Sequence, residues 1–134
     1  MRILICDDEG IVQQAIRFMI QKSFGDEFEI ESAKNGRMAI ELAESFRPDI
    51  ILMDEPSAAL DPQNRRNLIR VLNEFSYLKL IASHDLDFVW DTCDRTILLS
   101  EGRIVCDGDT REILSDRKLL ETHGLELPLS LYRK

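Results

Sequence analysis

Several features that define other protein classes are scarce or missing in this 134-residue sequence. It contains three scattered cysteines, which is too few for a disulfide framework or a zinc site, so we expect small buried thiols in a reducing compartment. No apolar run is long enough to cross a bilayer. Acidic residues at positions 7–9 interrupt the N-terminal apolar stretch and argue against a secretory signal. These absences predict a cytoplasmic protein.

Basic residues are also in the minority. Lysine and arginine number 17 against 25 aspartates and glutamates, which gives a formal net charge of -8 and a pI of about 4.8. An excess of negative charge disfavours binding to nucleic acid or to anionic membranes. We therefore expect no nucleic-acid, membrane or other partner, and the oligomeric state stays open.

The sequence does contain a regular alternation of apolar runs and helical periodicity. The runs predict strands over residues 2–6, 28–31, 49–53, 78–82, 96–99 and 103–106. The periodic segments predict helices over residues 11–23, 38–46, 62–75, 86–93, 110–114 and 117–123. This order indicates an α/β fold, a three-layer, doubly wound parallel sheet, in one domain spanning residues 1–134.

Two strand orders agree with this pattern. The preferred order is flavodoxin-like, 2-1-3-4-5, with an antiparallel strand returning at the edge after the turn at Glu101-Gly102. The alternative is a P-loop-like order, 2-3-4-1-5, in which the first strand lies between the fourth and the fifth. We prefer the first order because the N-terminal segment brings its own right-handed crossovers.

Three acids follow two of the predicted strands. Asp7 and Asp8 follow the first strand, and Asp54 follows the apolar run at residues 50–53. Because ligands collect beyond the carboxyl ends of parallel strands, we expect these side chains to meet at one edge. Carboxylates that meet there require a cation or a raised pKa, and magnesium is the natural cation for such ligands. The alternative is that the acids are solvated helix caps.

The first 54 residues resemble the receiver domain of response regulators, a CheY-like fold. The matching segments are ILICDDE at residues 3–9, AKNG at residues 33–36 and RPDIILMD at residues 47–54. The resemblance implies that Asp7 and Asp8 hold magnesium and that Asp54 is a phosphoacceptor. Ser83 is the candidate for the hydroxyl residue that ends the fourth strand in receivers.

The receiver pattern stops after Asp54. Receivers have a lysine at the end of the last strand, usually before a proline, and this sequence contains no Lys-Pro. Lys79 begins a predicted strand and so belongs to the opposite edge. Without that cation a phosphoryl group loses a main electrostatic stabiliser, so we expect poor phosphorylation at best.

From residue 51 onward the sequence resembles the C-terminal part of an ABC transporter ATPase of the cobalt or energy-coupling type. The segments are ILMDEP at 51–56 (Walker B), SAALDP at 57–62 (D-loop), ASHD at 82–85 (switch histidine) and CDRTILLSEGRIV at 93–105, and the match runs to about residue 128. The resemblance implies that Asp54 positions magnesium, Glu55 orients the attacking water and His84 contacts the γ-phosphate.

The phosphate-binding elements of that family are absent from the sequence. None of the six glycines is followed by lysine, so there is no GxxxxGK[ST] loop, and there is no Gly-Gly pair for the signature motif. Glu55 and His84 are then expected to be vestigial, with no ATP to act on. Asp61 keeps a role as a helix cap, with Pro62 in the first turn.

Two incomplete patterns that share one strand suggest an engineered chimera of a receiver half, residues 1–54, and an ABC ATPase half, residues 55–134. On this hypothesis the protein is folded but is not an enzyme. Weak Mg²⁺ binding by Asp7, Asp8 and Asp54 is the most it is expected to do. The alternatives are a degenerate receiver phosphorylated on Asp54 and residual nucleotide binding.

Overall fold

The computed structural model describes residues 1–133, with side chains described through residue 132. The strands are β1 (Arg2–Cys6), β2 (Glu29–Ala33), β3 (Ile50–Asp54), β4 (Leu78–Ala82), β5 (Arg95–Ser100) and β6 (Arg103–Asp109). The helices are α1 (Gly10–Phe24), α2 (Gly36–Phe46), α3 (Pro62–Glu74), α4 (Leu86–Thr92), α5 (Thr110–Ser115) and α6 (Arg117–Thr122), followed by a 3₁₀ turn at Leu129–Arg133. Among the described residues, no helix combines the length and the apolar character needed to cross a membrane.

The chain divides into two compact units that interleave in the sequence. Unit 1 comprises Met1–Pro56 and Phe75–Ala82, and unit 2 comprises Ser57–Glu74 and the chain from Ser83 onward. The division therefore differs from a single cut after residue 54, because β4 belongs with the N-terminal strands. The assignment of residues 1–134 to one domain stays a prediction, and residue 134 lies outside the described residues.

Unit 1 is built on a four-stranded parallel sheet with the order β2-β1-β3-β4. In the central strand, Leu4 lies opposite Glu31 of β2 and Ile51 of β3. Alternate residues of β1 pack against apolar side chains of α1 and of the neighbouring strands, in a cluster formed by Ile3, Ile5, Ile16, Ile20, Phe28, Ile30 and Leu52. The short apolar runs of the sequence thus become the buried strands.

Unit 2 contains the remaining helices and a two-stranded antiparallel sheet of β5 and β6. Its core is the cluster of Val89, Ile113, Leu114 and Leu120, against which Trp90 and Cys106 pack. Aspartate caps begin several of its helices. The carboxylate of Asp61 accepts the N–H of Asn64 at 2.8 Å, which confirms the predicted cap of α3.

The predicted place of β5 is wrong in both strand orders. Within residues 1–133, β5 pairs with β6 alone, and β1 lies between β2 and β3. The turn that joins β5 to β6 has positive φ at both Glu101 (50°) and Gly102 (72°), a geometry typical of tight hairpins. A hairpin of this kind closes with little loss of chain entropy, and the predicted antiparallel return of β6 along β5 is present.

Candidate functional site

The carboxyl ends of β1 and β3 form the candidate site of unit 1. Asp7 follows β1, Asp54 ends β3, and both residues are among those that line a cavity of about 180 Å³. Parallel strands bring such ends to one edge of the sheet, as the sequence predicted for these two acids. The remaining lining residues are mostly apolar: Ile5, Cys6, Ile16, Leu52, Met53, Leu80 and Ala82.

The chain around Asp7 is held by a residue that the sequence patterns did not reveal. The amide of Gln13, in α1, donates to the carbonyl oxygens of Asp7 at 2.6 Å and Ala33 at 3.1 Å, and Gln13 is itself buried. The Asp7 N–H also donates to the Ala33 carbonyl, at 3.1 Å. One carboxylate oxygen of Asp7 accepts the N–H of Glu9 at 2.8 Å. Within the described part of the chain, the second carboxylate oxygen of Asp7 accepts no hydrogen bond.

Asp8 occupies a different environment from the other two acids. It is exposed and is not among the residues that line the cavity. Within the described part of the chain, no three histidine, cysteine, aspartate or glutamate side chains are grouped so that they could hold one metal ion. The assignment of magnesium to Asp7, Asp8 and Asp54 therefore stays a prediction, as does that of Asp54 as a phosphoacceptor.

Glu55 follows β3 in an unusual backbone conformation. Its φ is 46°, in the left-handed region that side chains other than glycine seldom adopt. The N–H of Glu55 donates to the carbonyl oxygen of Ala82, the last residue of β4, at 2.8 Å. Strained conformations of this type persist where the surrounding structure imposes them and are frequent at functional sites.

The segment of residues 83–85 in unit 2 connects β4 to α4. The Ser83 hydroxyl accepts the N–H of Asp85 at 3.0 Å, and the Asp85 carboxylate caps α4 by accepting the N–H of Phe88 at 3.0 Å. His84 lies between these two bonded residues and is exposed. The same carboxylate binds Arg65 of α3, a residue that sequence reasoning missed because it lies 20 positions away.

Cys6 precedes Asp7 in the sequence, and its thiol stays protonated at neutral pH. Burial raises the pKa of Cys6 to about 11, because a low-dielectric environment disfavours the thiolate. No disulfide involves the three cysteines, which are all partly buried. Cys6 therefore lines the cavity as an apolar residue and is not a nucleophile at neutral pH.

The sequence and the fold are similar to those of ABC transporter proteins. An ABC transporter ATP-binding protein of Gloeobacter violaceus is 45% identical over 125 residues, which is 93% of this chain and 50% of the relative. An energy-coupling factor transporter ATP-binding protein of Carboxydothermus hydrogenoformans is 38% identical over 96 residues, covering 69% of this chain and 35% of the relative. CbiO1 from Clostridium perfringens, part of the ABC transporter complex CbiONQ, superposes with a TM-score of 0.53 at 29% identity, over 64% of this chain and 36% of its own. No family model matches the sequence.

These similarities correct the interpretation of the N-terminal half. The Gloeobacter match includes 93% of the chain and can leave only a few of the first 54 residues outside it. The findings indicate a domain like an ABC transporter ATPase of the energy-coupling type, and they support neither a receiver domain nor an engineered chimera. Both families have an apolar strand that ends in an aspartate, so the segment at residues 47–54 does not distinguish them. The α/β class with a parallel sheet is shown; the flavodoxin-like assignment is not supported.

Four further expectations are overturned by the same relatives. The expectations that the protein is inactive, is not an enzyme and binds no ATP are wrong, because the relatives are named as ATP-binding proteins of ABC transporters. The expectation that it has no partner and no connection to a membrane is also wrong, because the relatives are parts of transporters. The chain spans half or less of the length of these relatives.

Proposed function

We propose that this chain supplies the Walker B, D-loop and switch-histidine part of an ATP-hydrolysing subunit that works with a membrane transporter on its cytoplasmic side. The observation that carries the proposal is the geometry at the end of β3. Asp54 lies open at the cavity edge, and Glu55 follows it in a left-handed conformation, with its N–H bonded to the Ala82 carbonyl. The relatives named as ATP-binding proteins support the same assignment.

The proposed roles follow from the chemistry of each side chain. Asp54 offers exposed carboxylate oxygens, the ligand type that Mg²⁺ prefers. When bound with ATP, Mg²⁺ neutralises negative charge on the phosphates. Glu55 orients the attacking water and accepts its proton as the water oxygen bonds to the γ-phosphorus and ADP departs. His84 donates a hydrogen bond to the γ-phosphate.

Binding of MgATP is the first test of this proposal. The sequence contains no GxxxxGK[ST] loop, so we expect the chain alone to bind MgATP weakly. Binding is therefore measured at millimolar nucleotide. A ligand that binds only the folded state must raise the melting temperature. MgATP should therefore stabilise the wild type and Glu55→Gln, and should stabilise Asp54→Asn less. Absence of any MgATP-dependent rise in the wild type would contradict the proposal.

Hydrolysis is the second test and isolates Glu55. Loss of a general base lowers rates by about 100-fold or more, so Glu55→Gln should reduce phosphate release by that factor while the MgATP-dependent stabilisation persists. Glu101→Gln, a second glutamate with positive φ (50°) at the β5–β6 turn, serves as the matched control and should retain the wild-type rate. Equal phosphate release from the wild type and Glu55→Gln would show that Glu55 is not the base.

A further inference from the structure

The carboxylate of Asp85 is saturated with hydrogen-bond donors. Arg65 reaches it with two nitrogens: Nη2 lies 3.2 Å from Oδ1 and 3.3 Å from Oδ2, and Nε lies 3.4 Å from Oδ2. The buried hydroxyl of Ser57 donates to Oδ2 at 3.1 Å, and the N–H of Phe88 donates to Oδ1 at 3.0 Å. This arrangement holds both oxygens of Asp85 in one orientation.

The backbone on both sides of Asp85 is fixed as well. Its N–H donates to the Ser83 hydroxyl at 3.0 Å, and its carbonyl accepts the N–H of Val89 in α4 at 3.1 Å. His84 therefore joins a serine and an aspartate that are bonded to each other. Any loosening of Asp85 must change the freedom of the His84 main chain, because the two residues share a peptide bond.

Arg65 is well suited to hold Asp85 in place. Its side chain is 28% exposed and that of Asp85 is 33% exposed, so solvent screens this pair less than it screens a fully exposed one. The Arg65 guanidinium also lies 5.9 Å from the centre of the buried Phe88 ring, at the outer range of a cation–π contact. A planar guanidinium that is bonded through two nitrogens and packed against a ring has little freedom to move.

We propose that Arg65 is a positioning residue for His84, acting through the Asp85 carboxylate. The Arg65–Asp85–Ser57 network keeps residues 83–85 in one conformation and so presents the His84 imidazole in a constant place. The consequence for hydrolysis rests on the proposed function, in which His84 contacts the γ-phosphate. The conformational part does not rest on it, because every bond of the network joins residues of this chain.

Amide hydrogen exchange tests the conformational part. In Arg65→Leu, the amides of Asp85 and Phe88 should exchange about 10-fold faster or more than in the wild type, since a tenfold change corresponds to the loss of one good hydrogen bond. The amides of β1 and β3 should be unchanged. Arg66→Leu is the matched control, because Arg66 occupies the next position of α3 and donates to Gln63 of its own helix. Unchanged exchange at Asp85 and Phe88 in Arg65→Leu would overturn the proposal.

Three further variants cover the case in which Arg65→Leu does not fold. Arg65→Lys keeps the charge but cannot donate from two nitrogens in a fixed plane, so its exchange should lie between those of the wild type and Asp85→Asn. If Arg65 acts through Asp85, the double variant Arg65→Lys/Asp85→Asn should exchange no faster than Asp85→Asn alone. Additive effects of the two substitutions on exchange would show that Arg65 does not act through Asp85 and would overturn the proposal.

Steady-state kinetics test the consequence for hydrolysis. Arg65→Leu should lower kcat about 10-fold with KM changed less than about twofold, the pattern of an interaction made in the transition state. If the wild type releases no phosphate, the proposed function fails, while the exchange experiment still decides the role of Arg65. A fall in kcat without a change in exchange would show that Arg65 acts by another route.

Discussion

Asp54 and Asp85 are acids near strand ends in different units, and their surroundings are opposite. No hydrogen bond to the Asp54 carboxylate occurs within the residues whose side chains are described, and Asp54 is an exposed residue at the lining of a cavity. Asp85 receives bonds from Arg65, Ser57 and Phe88. A carboxylate whose oxygens are occupied by the protein stabilises the fold, whereas one left open is available to a ligand. The difference separates an acid that is bonded within the protein from one that is not.

Removal of each carboxylate should give the largest difference in stability between the two positions. Asp85→Ala loses a helix cap and a charged pair and leaves Arg65 partly buried without its partner, so we expect a loss of about 2–3 kcal/mol in the free energy of unfolding. Asp54→Ala should change it by less than about 0.5 kcal/mol, as is usual for a surface position. Urea unfolding measures both. Equal losses would show that Asp54 has a structural role as large as that of Asp85.

A smaller effect is expected from Asp87, which extends the comparison to pH. Its carboxylate accepts the N–H groups of Leu129 at 2.8 Å and Ser130 at 2.9 Å. Burial acts to raise the pKa of Asp87, but these two N–H groups, the Ser130 hydroxyl and the charge of Arg65 outweigh it and lower the pKa below its ordinary value. Because the folded-state pKa is the lower one, the stabilisation is complete above the unfolded pKa of about 3.9 and is lost as the pH falls through the folded value.

The pH dependence can be measured by urea unfolding of the wild type and Asp87→Asn. We expect the wild type to be the more stable near neutral pH and the difference to shrink as the pH falls below about 4. Asp91→Asn, which alters an exposed acid of the same helix, is the control. A difference that stays constant down to the acid limit would contradict the titration of Asp87.

The smallest effect is expected at the strained residue of the open site. Arg47, with φ of 51°, is the reference position: Arg47→Gly removes the steric cost of positive φ but adds chain entropy to the unfolded state, so the net gain in the free energy of unfolding should be about 0.5 kcal/mol. Glu55→Gly should gain less than Arg47→Gly, because Glu55 also takes part in an interaction within the protein. Arg47→Gly should retain phosphate release and Glu55→Gly should lose it. Equal gains from the two substitutions in urea unfolding would show that the Glu55 side chain contributes nothing to stability.

Local periodicity was sufficient to predict the elements of both units. The helix expected over residues 62–75 is α3, Pro62–Glu74, and the strand over residues 78–82 is β4. Asp61 could be identified as a cap because its signal lies within one turn of the helix. Asp7 and Asp54 could be placed at one sheet edge because parallel strands align their carboxyl ends.

Pairings that depend on distant residues could not be predicted in this way. The place of β5 was wrong because an apolar run does not specify its partner. The chimera hypothesis was wrong because a strand ending in an acid satisfies two families at once, and only the similarity over 93% of the chain resolved it.

The sequence by itself determined the alternation of strands and helices, the helix caps and the acids at the strand ends, because each depends on residues a few positions apart. Only the tertiary structure decided which acids stay open and which are saturated. It brings the Arg65 guanidinium and the Ser57 hydroxyl to Asp85 across 20 and 28 positions of chain. It also leaves Asp54 exposed at the lining of a cavity. The physical reason is that hydrogen-bond saturation depends on neighbours in space, which a linear pattern does not encode.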